Sequence, residues 1–195
     1  MFLQHLHLPG VPDLCLQLVD MDNFIRLLIC AAAGGLVTVY GFQSGKVTSA
    51  CDEMRPGHMK TKNRKIDPQP SPAPYIIIVS NRTVFPEDII TVTITSTSGN
   101  ETFKGFFLQA RPVKKDEFSG TFSLSDPNNT QLLQCGSQPN TAVSHTNNEL
   151  KTSIEAYWTA PNKTGCVQFV ATVVKEYRIF WTGIKSDVIT IKKKK

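Results

Sequence analysis

An all-β, antiparallel sandwich is the fold that this 195-residue sequence predicts, and three observations predict it. From Tyr75 onward the apolar residues fall in short runs, several of them alternating strictly with polar residues, as half-buried strands require. Clusters of Gly, Pro, Asn and Asp separate those runs. No segment carries the 3.6-residue apolar period of a convincing amphipathic helix. About eight short strands follow, which is the pattern of a sandwich.

Ahead of the strands stands an apolar run, residues 27–39 (LLICAAAGGLVTV). It is well short of the roughly 20 residues that cross a bilayer as a helix. Arg26 precedes it, and Val39-Tyr40-Gly41 follows it. This is the arrangement of a secretory signal, placed at residues 21–41 and starting from Met21, with cleavage after Gly41. Residues 1–20 then form a doubtful extension. The alternative, a buried helix, is disfavoured by Arg26 and by Gly34-Gly35, which weaken a helix interior. The expected product is secreted and has no membrane span.

Residues 57–74 carry four prolines and the cations Lys60, Lys62, Arg64 and Lys65, and are expected to form a long loop. Residues 75–80 (YIIIVS) make the first strand. Residues 90–95 direct Ile90, Val92 and Ile94 to the core and Thr91, Thr93 and Thr95 to water. A turn at 96–100 leads to a strand in which Phe106, Leu108 and Ala110 share a face, ended by Arg111-Pro112. Residues 120–124 and 130–134 are expected to pair with each other around Asp126-Pro127-Asn128. Ile154, Ala156 and Trp158 fall on one face, Glu155 and Tyr157 on the other. Residues 167–174 are apolar on both faces and predict a central strand. Residues 177–181 and 188–191 close the series. One domain, 42–186, is expected, with the last strand and a basic tail in 187–195.

The chain carries a formal net charge of +5. The leader holds Asp13, Asp20 and Asp22 against Arg26, so its removal makes the product more basic. The cluster Lys60, Lys62, Arg64, Lys65 and the end Lys192, Lys193, Lys194, Lys195 lack interleaved aromatics. They are expected to be flexible, solvated ends and not a nucleic-acid groove, which needs stacking platforms as well. A weak attraction of the lysine tail to anionic glycans or headgroups is the alternative.

Cys15 and Cys30 belong to the leader, leaving Cys51, Cys135 and Cys166. An odd count in a secreted chain means one bridge and one unpaired thiol, or an intermolecular bond. No C-x-x-C pair occurs. N-x-S/T sequons stand at Asn81, Asn100, Asn128 and Asn162, each beside turn-forming residues where a glycan would sit in solvent.

Catalytic patterns are missing: the sequence has no H-E-x-x-H, no G-x-S-x-G, no phosphate-binding glycine loop and no metal-ligand spacing. Asp52-Glu53, Glu87-Asp88 and Asp116-Glu117 lie near turn signals, where carboxylates are solvated and do not face one bond, as paired acid–base work requires. Trp158 and Trp181 are expected in the core.

Motifs along these strands resemble the reeler domain, the module at the N-terminus of reelin. They are Gly45-Lys46-Val47, residues 50–58 (ACDEMRPGH), residues 103–111 (FKGFFLQAR) and Gly120-Thr121-Phe122. Leu133-Gln134-Cys135, Ala142-Val143-Ser144-His145, residues 153–161 (SIEAYWTAP), residues 167–174 (VQFVATVV) and Phe180-Trp181 continue the match. The resemblance implies an immunoglobulin-like sandwich and a disulfide between Cys51 and Cys135, with Cys166 the unpaired thiol. Two branches of the family are similar: the N-terminal domain of ferric-chelate reductase-like membrane proteins (stromal cell-derived receptors), and small secreted proteins of a defence type. Met59 departs from the family pattern where a second glycine often follows the histidine, and Cys166 stands where a small polar residue is expected. The haem-bearing helices of the reductase-like branch have no counterpart here.

His58 and His145 each lie near one of the cysteines that the resemblance pairs. Brought together, two imidazoles could bind copper or zinc weakly, but hydrogen-bonding structural histidines are the preferred reading, since two ligands rarely make a closed site. The expected function is a secreted, glycosylated, non-catalytic recognition module of the defence type. It uses no cofactor and takes an extracellular protein, a glycan or a microbial surface as partner, with a disulfide-linked dimer through Cys166 open to it. The alternatives are a shortened reductase-like protein without its haem-binding membrane part, and a matrix or glycan binder.

Overall fold

The computed structural model describes residues 44–113 and 120–194. The predicted leader with Met21, Gly41, Cys15 and Cys30, the Asp116-Glu117 pair and Lys195 lie outside them. The described chain opens with one turn of 3-10 helix, Thr48–Ala50. Strands follow as β1 (Met59–Thr61), β2 (Arg64–Lys65), β3 (Tyr75–Val79), β4 (Thr83–Val84), β5 (Ile89–Ser96) and β6 (Gly105–Pro112). The rest are β7 (Thr121–Leu124), β8 (Thr130–Leu133), β9 (Ala142–His145), β10 (Ser153–Thr159), β11 (Gly165–Glu176) and β12 (Ile179–Ile191). β1 and β2 pair alone; the others form a four-stranded sheet, β3-β5-β10-β7, and a six-stranded sheet, β4-β12-β11-β6-β9-β8. All pairs are antiparallel except β4 with β12.

The period-2 patterns decide which faces meet. Ile90, Val92 and Ile94 of β5 and Ile154, Ala156 and Trp158 of β10 point into one core with Phe106, Leu108 and Ala110 of β6. Phe169 lies at its middle, edge-on to Trp158 at 5.3 Å between ring centres and tilted against Phe122 at 6.0 Å. Trp181 joins the same core. β11 and β6 are buried on both faces because the six-stranded sheet carries a second cover. Val47, Ala50, Cys51 and Met54 pack on its outer side against Phe107, Leu133, Cys135, Ala142 and the partly buried Val170.

Several expectations change. The described residues hold twelve strands, not about eight. Residues 57–74 are not all loop, because β1 and β2 form a hairpin in which every residue is exposed. Its cations therefore sit on a defined ribbon. Residues 120–124 and 130–134 do not pair with each other: β7 joins β10 and β8 joins β9, so the Asp126-Pro127-Asn128 turn crosses from one sheet to the other. Of residues 177–181, Tyr177 and Arg178 form the turn after β11, while 179–181 and 188–191 belong to one strand, β12, whose pairing with β11 shifts register three times. That strand runs through position 186 without a break.

Candidate functional site

The outer side of the six-stranded sheet gathers four of the residues singled out by sequence: Cys51, Cys135, His58 and His145. The first of its fastenings is covalent: a disulfide joins Cys51 to Cys135, 84 positions apart, with Cα atoms 5.5 Å apart. The second is polar. The Arg111 guanidinium donates to the carbonyls of Cys51 (2.7 Å) and Asp52 (2.9 Å), the end of the 3-10 turn. Its planar fork also donates to Oε1 of Gln109 at 2.9 and 3.1 Å, which fixes its orientation. Gln109 is fully buried, and its Nε2 has no hydrogen-bond partner among the described residues. The hydroxyl of Thr172 donates to the carbonyl of Met54. Gly45 lets the chain start this cover, since its φ is +61° and a Cβ there would stand 1.9 Å from the His145 carbonyl oxygen.

His58 and His145 lie at one end of the same face. Gly105 pairs with Val174, and Val174 pairs with Phe180. The His145 ring fills the space that Gly105 leaves open, its Cε1 only 2.9 Å from where a Cβ would be. Phe106 N–H donates to its Nδ1 at 3.2 Å, and Ser144 donates to the Phe106 carbonyl at 2.8 Å. His58 stacks on Tyr177 at 4.3 Å and meets Phe180 edge-on at 5.7 Å. Nδ1 of His58 is buried without a partner among the described residues. Its carbonyl accepts from Ile66 N–H at 2.9 Å, and Met59 N–H donates to the Tyr177 hydroxyl at 3.0 Å. His58 thus seats the basic hairpin on the β11–β12 turn.

Burial lowers the pKa of His58 from 6.5; a hydrogen bond to the Tyr177 backbone opposes this, and the charge of His145 adds to the lowering. Folded His58 binds fewer protons than unfolded His58 between those two pKa values. Its contribution to stability is complete above about pH 6.5 and is lost as pH falls through that value toward the folded pKa. A proton NMR titration should place the His58 ring inflection below 6.5, with the hairpin amides of Met59 and Ile66 exchanging faster as it protonates. A ring inflection at or above 6.5 would contradict this seating.

Among the described residues no three His, Cys, Asp or Glu side chains converge to hold a metal ion. The carboxylates of Asp52, Glu53 and Glu87 are exposed; Asp88 is partly buried and accepts from Phe85 N–H at 2.8 Å. Asn81, Asn100, Asn128 and Asn162 are all exposed, in turns between strands. Cys166 is a free, exposed cysteine at the start of β11. Lys192, Lys193 and Lys194 follow β12 and are exposed.

Two polar groups escaped sequence reading. One is the Arg111–Gln109 clamp. The other is Lys151, buried with its ammonium donating to the carbonyls of Lys104, Asn147 and Glu149 and to Asn147 Oδ1, at 2.9–3.3 Å. Desolvation lowers its pKa, and the charges of Glu149 and Asp126 partly restore it. A lysine in a polar stretch gives no sign of burial, so only the fold reveals it.

A two-sheet β domain with a disulfide-fastened outer cover is the class that fold and site define. The chain belongs to the reeler domain family, whose model matches residues 49–195. It is 42% identical over 170 residues to “Putative ferric-chelate reductase 1” of Xenopus laevis, covering 85% of this chain and 26% of that protein. It is 38% identical over 164 residues to “Putative defense protein 3” of Antheraea mylitta, covering 84% of this chain and 94% of that one. The chain thus spans about a quarter of the reductase relative and nearly all of the defense relative. Among solved structures, the human F-spondin reeler domain superposes with a TM-score of 0.56 at 23% identity, over 65% of this chain and 94% of that domain. That likeness shows the shared fold.

Proposed function

We propose that this chain is a secreted, glycosylated recognition module of the defence type, acting by binding and without catalysis. The alignment with the Antheraea mylitta defense protein carries this reading, because it runs over 94% of that protein's length. Four exposed sequon asparagines support a glycosylated, extracellular product. The partner is an extracellular protein, a glycan or a microbial surface, and Cys166 is the thiol through which two copies would link. Expression in secretory cells from Met1 and from Met21 tests the address. The protein is expected in the medium, with a mass that falls on N-glycosidase treatment. Sedimentation with bacterial or fungal cells tests the role, and retention by none of them would overturn the defence reading.

A second reading rests on the 42% identity to the Xenopus laevis protein. On that reading the chain is the counterpart of one part of a longer reductase-like protein. Transcripts that continue past Lys195 into membrane-spanning sequence would favour it.

A further inference from the structure

We propose that β3 is a self-pairing edge, and that glycans on Asn81 and Asn100 keep two copies of this chain apart along it. The proposal rests on the glycosylated, secreted reading above. β3 ends the four-stranded sheet, and no described strand pairs with its outer side. Its bonds to β5 alternate: Thr97 N–H reaches the Pro74 carbonyl and Ser80 N–H reaches the Thr91 carbonyl. By that alternation Ile76 and Ile78 bond inward, while the backbone groups of Ile77 and Val79 point to the free edge.

An unpaired edge invites a second strand, and sheets ordinarily guard it with Lys, Pro or a bulge. Pro74 stands just before β3, but the strand itself, Tyr75–Val79, has none of these. Its sequence is YIIIV, its pairing with β5 is regular, and Ile76 and Ile78 are 39% and 49% exposed. The exposed face beside it adds Ile89 at 65% and Tyr157 at 38%. The chain is cationic overall, yet β3 is uncharged, so a second copy meets it without like-charge repulsion.

The strand is also self-complementary. With a two-fold axis at Ile77, antiparallel pairing sets Ile76 of one copy beside Ile78 of the other, twice. Both pairs fall on the exposed face, and the contact is isologous. An edge of five residues buries less than the roughly 1,000 Å² of a stable interface, so the association is weak and rises with concentration.

The sequons supply the guard that the strand lacks. Asn81 stands two positions beyond Val79. Asn100 stands in the turn after β5, whose Ser96 pairs with Tyr75, and Tyr75 donates its phenol proton to Thr102 at 2.8 Å. A five-residue strand is only about 17 Å long, so glycans at its two ends shield the whole edge. Asn128 and Asn162 lie in other turns and serve as internal controls.

The test uses secreted protein carrying Cys166→Ser, which removes thiol-linked pairs. Peptide mass mapping reads occupancy, and sedimentation velocity over a concentration series reads association. The glycosylated protein is expected to stay monomeric, and Asn81→Gln/Asn100→Gln to raise the dimer fraction at least five-fold. Asn128→Gln/Asn162→Gln should leave it unchanged, and adding Ile76→Lys/Ile78→Lys should restore the monomer. Endoglycosidase trimming of the folded protein repeats the comparison if the double variant fails to fold. A monomer after both treatments, a dimer that survives the lysines, or empty sequons at Asn81 and Asn100 in a monomeric protein would each overturn the proposal. Failure of secretion counts against the function reading, whereas occupied sequons without an edge-dependent dimer count against this inference alone.

Discussion

The double variant Cys51→Ala/Cys135→Ala is expected to lose about 4–5 kcal/mol of unfolding free energy, the chain-entropy value for a loop of this length. The bridge closes 84 positions and ties the outer cover to the segment between β8 and β9. Both sulfurs also belong to the apolar cluster that covers the sheet, so packing is lost along with the constraint. Urea denaturation followed by tryptophan fluorescence measures the difference, since Trp158 and Trp181 report the other core. A loss near zero would mean that the Arg111 clamp and the Met54 contact hold the cover unaided.

Phe169→Ala is the second large effect, expected to cost about 3–5 kcal/mol as a buried aromatic truncation. Phe169 is fully buried, lies on central β11 and touches the rings of Trp158 and Phe122 from the opposite sheet. Neither neighbour can follow the missing ring inward, because each is fixed in its own ladder with β10 or β7. The expected readout is a shifted denaturation midpoint with an unchanged slope. A loss below 1 kcal/mol would show that the two sheets close over the gap.

The parts of the fold legible in sequence are those where one face is wet and the other dry. β5 and β10 show it plainly: Ile90, Val92 and Ile94, like Ile154, Ala156 and Trp158, alternate because the opposite face meets solvent. β11 was legible for a different reason, its apolar residues on both faces marking a strand with neighbours above and below. The β1–β2 hairpin left no such trace, since all its residues are exposed and hydrogen bonds hold it in place. Turn chemistry at Asp126-Pro127 signalled a reversal of the chain, which a crossing between sheets shares with a hairpin. Gly183, at φ +69°, hid the continuity of β12 by resembling a turn. At the candidate site, residue types flagged His58, but its seat depends on Tyr177 and Phe180, more than a hundred positions away.

The parallel pairing of β4 with β12 has a consequence in time. Thr83 and Val84 must wait for Thr190 and Ile191, over a hundred residues later, before that ladder can close. Contacts of such sequence separation form slowly. Synthesis at roughly 5–20 residues per second adds several seconds before the last strand exists. Thr130, the hydroxyl residue of the Asn128 sequon, is 1% exposed once folding is complete. Any sugar carried by Asn128 must therefore be added before Thr130 closes on the Asp126 carbonyl and pairs with His145, while the unfinished sandwich still offers it to a modifying enzyme.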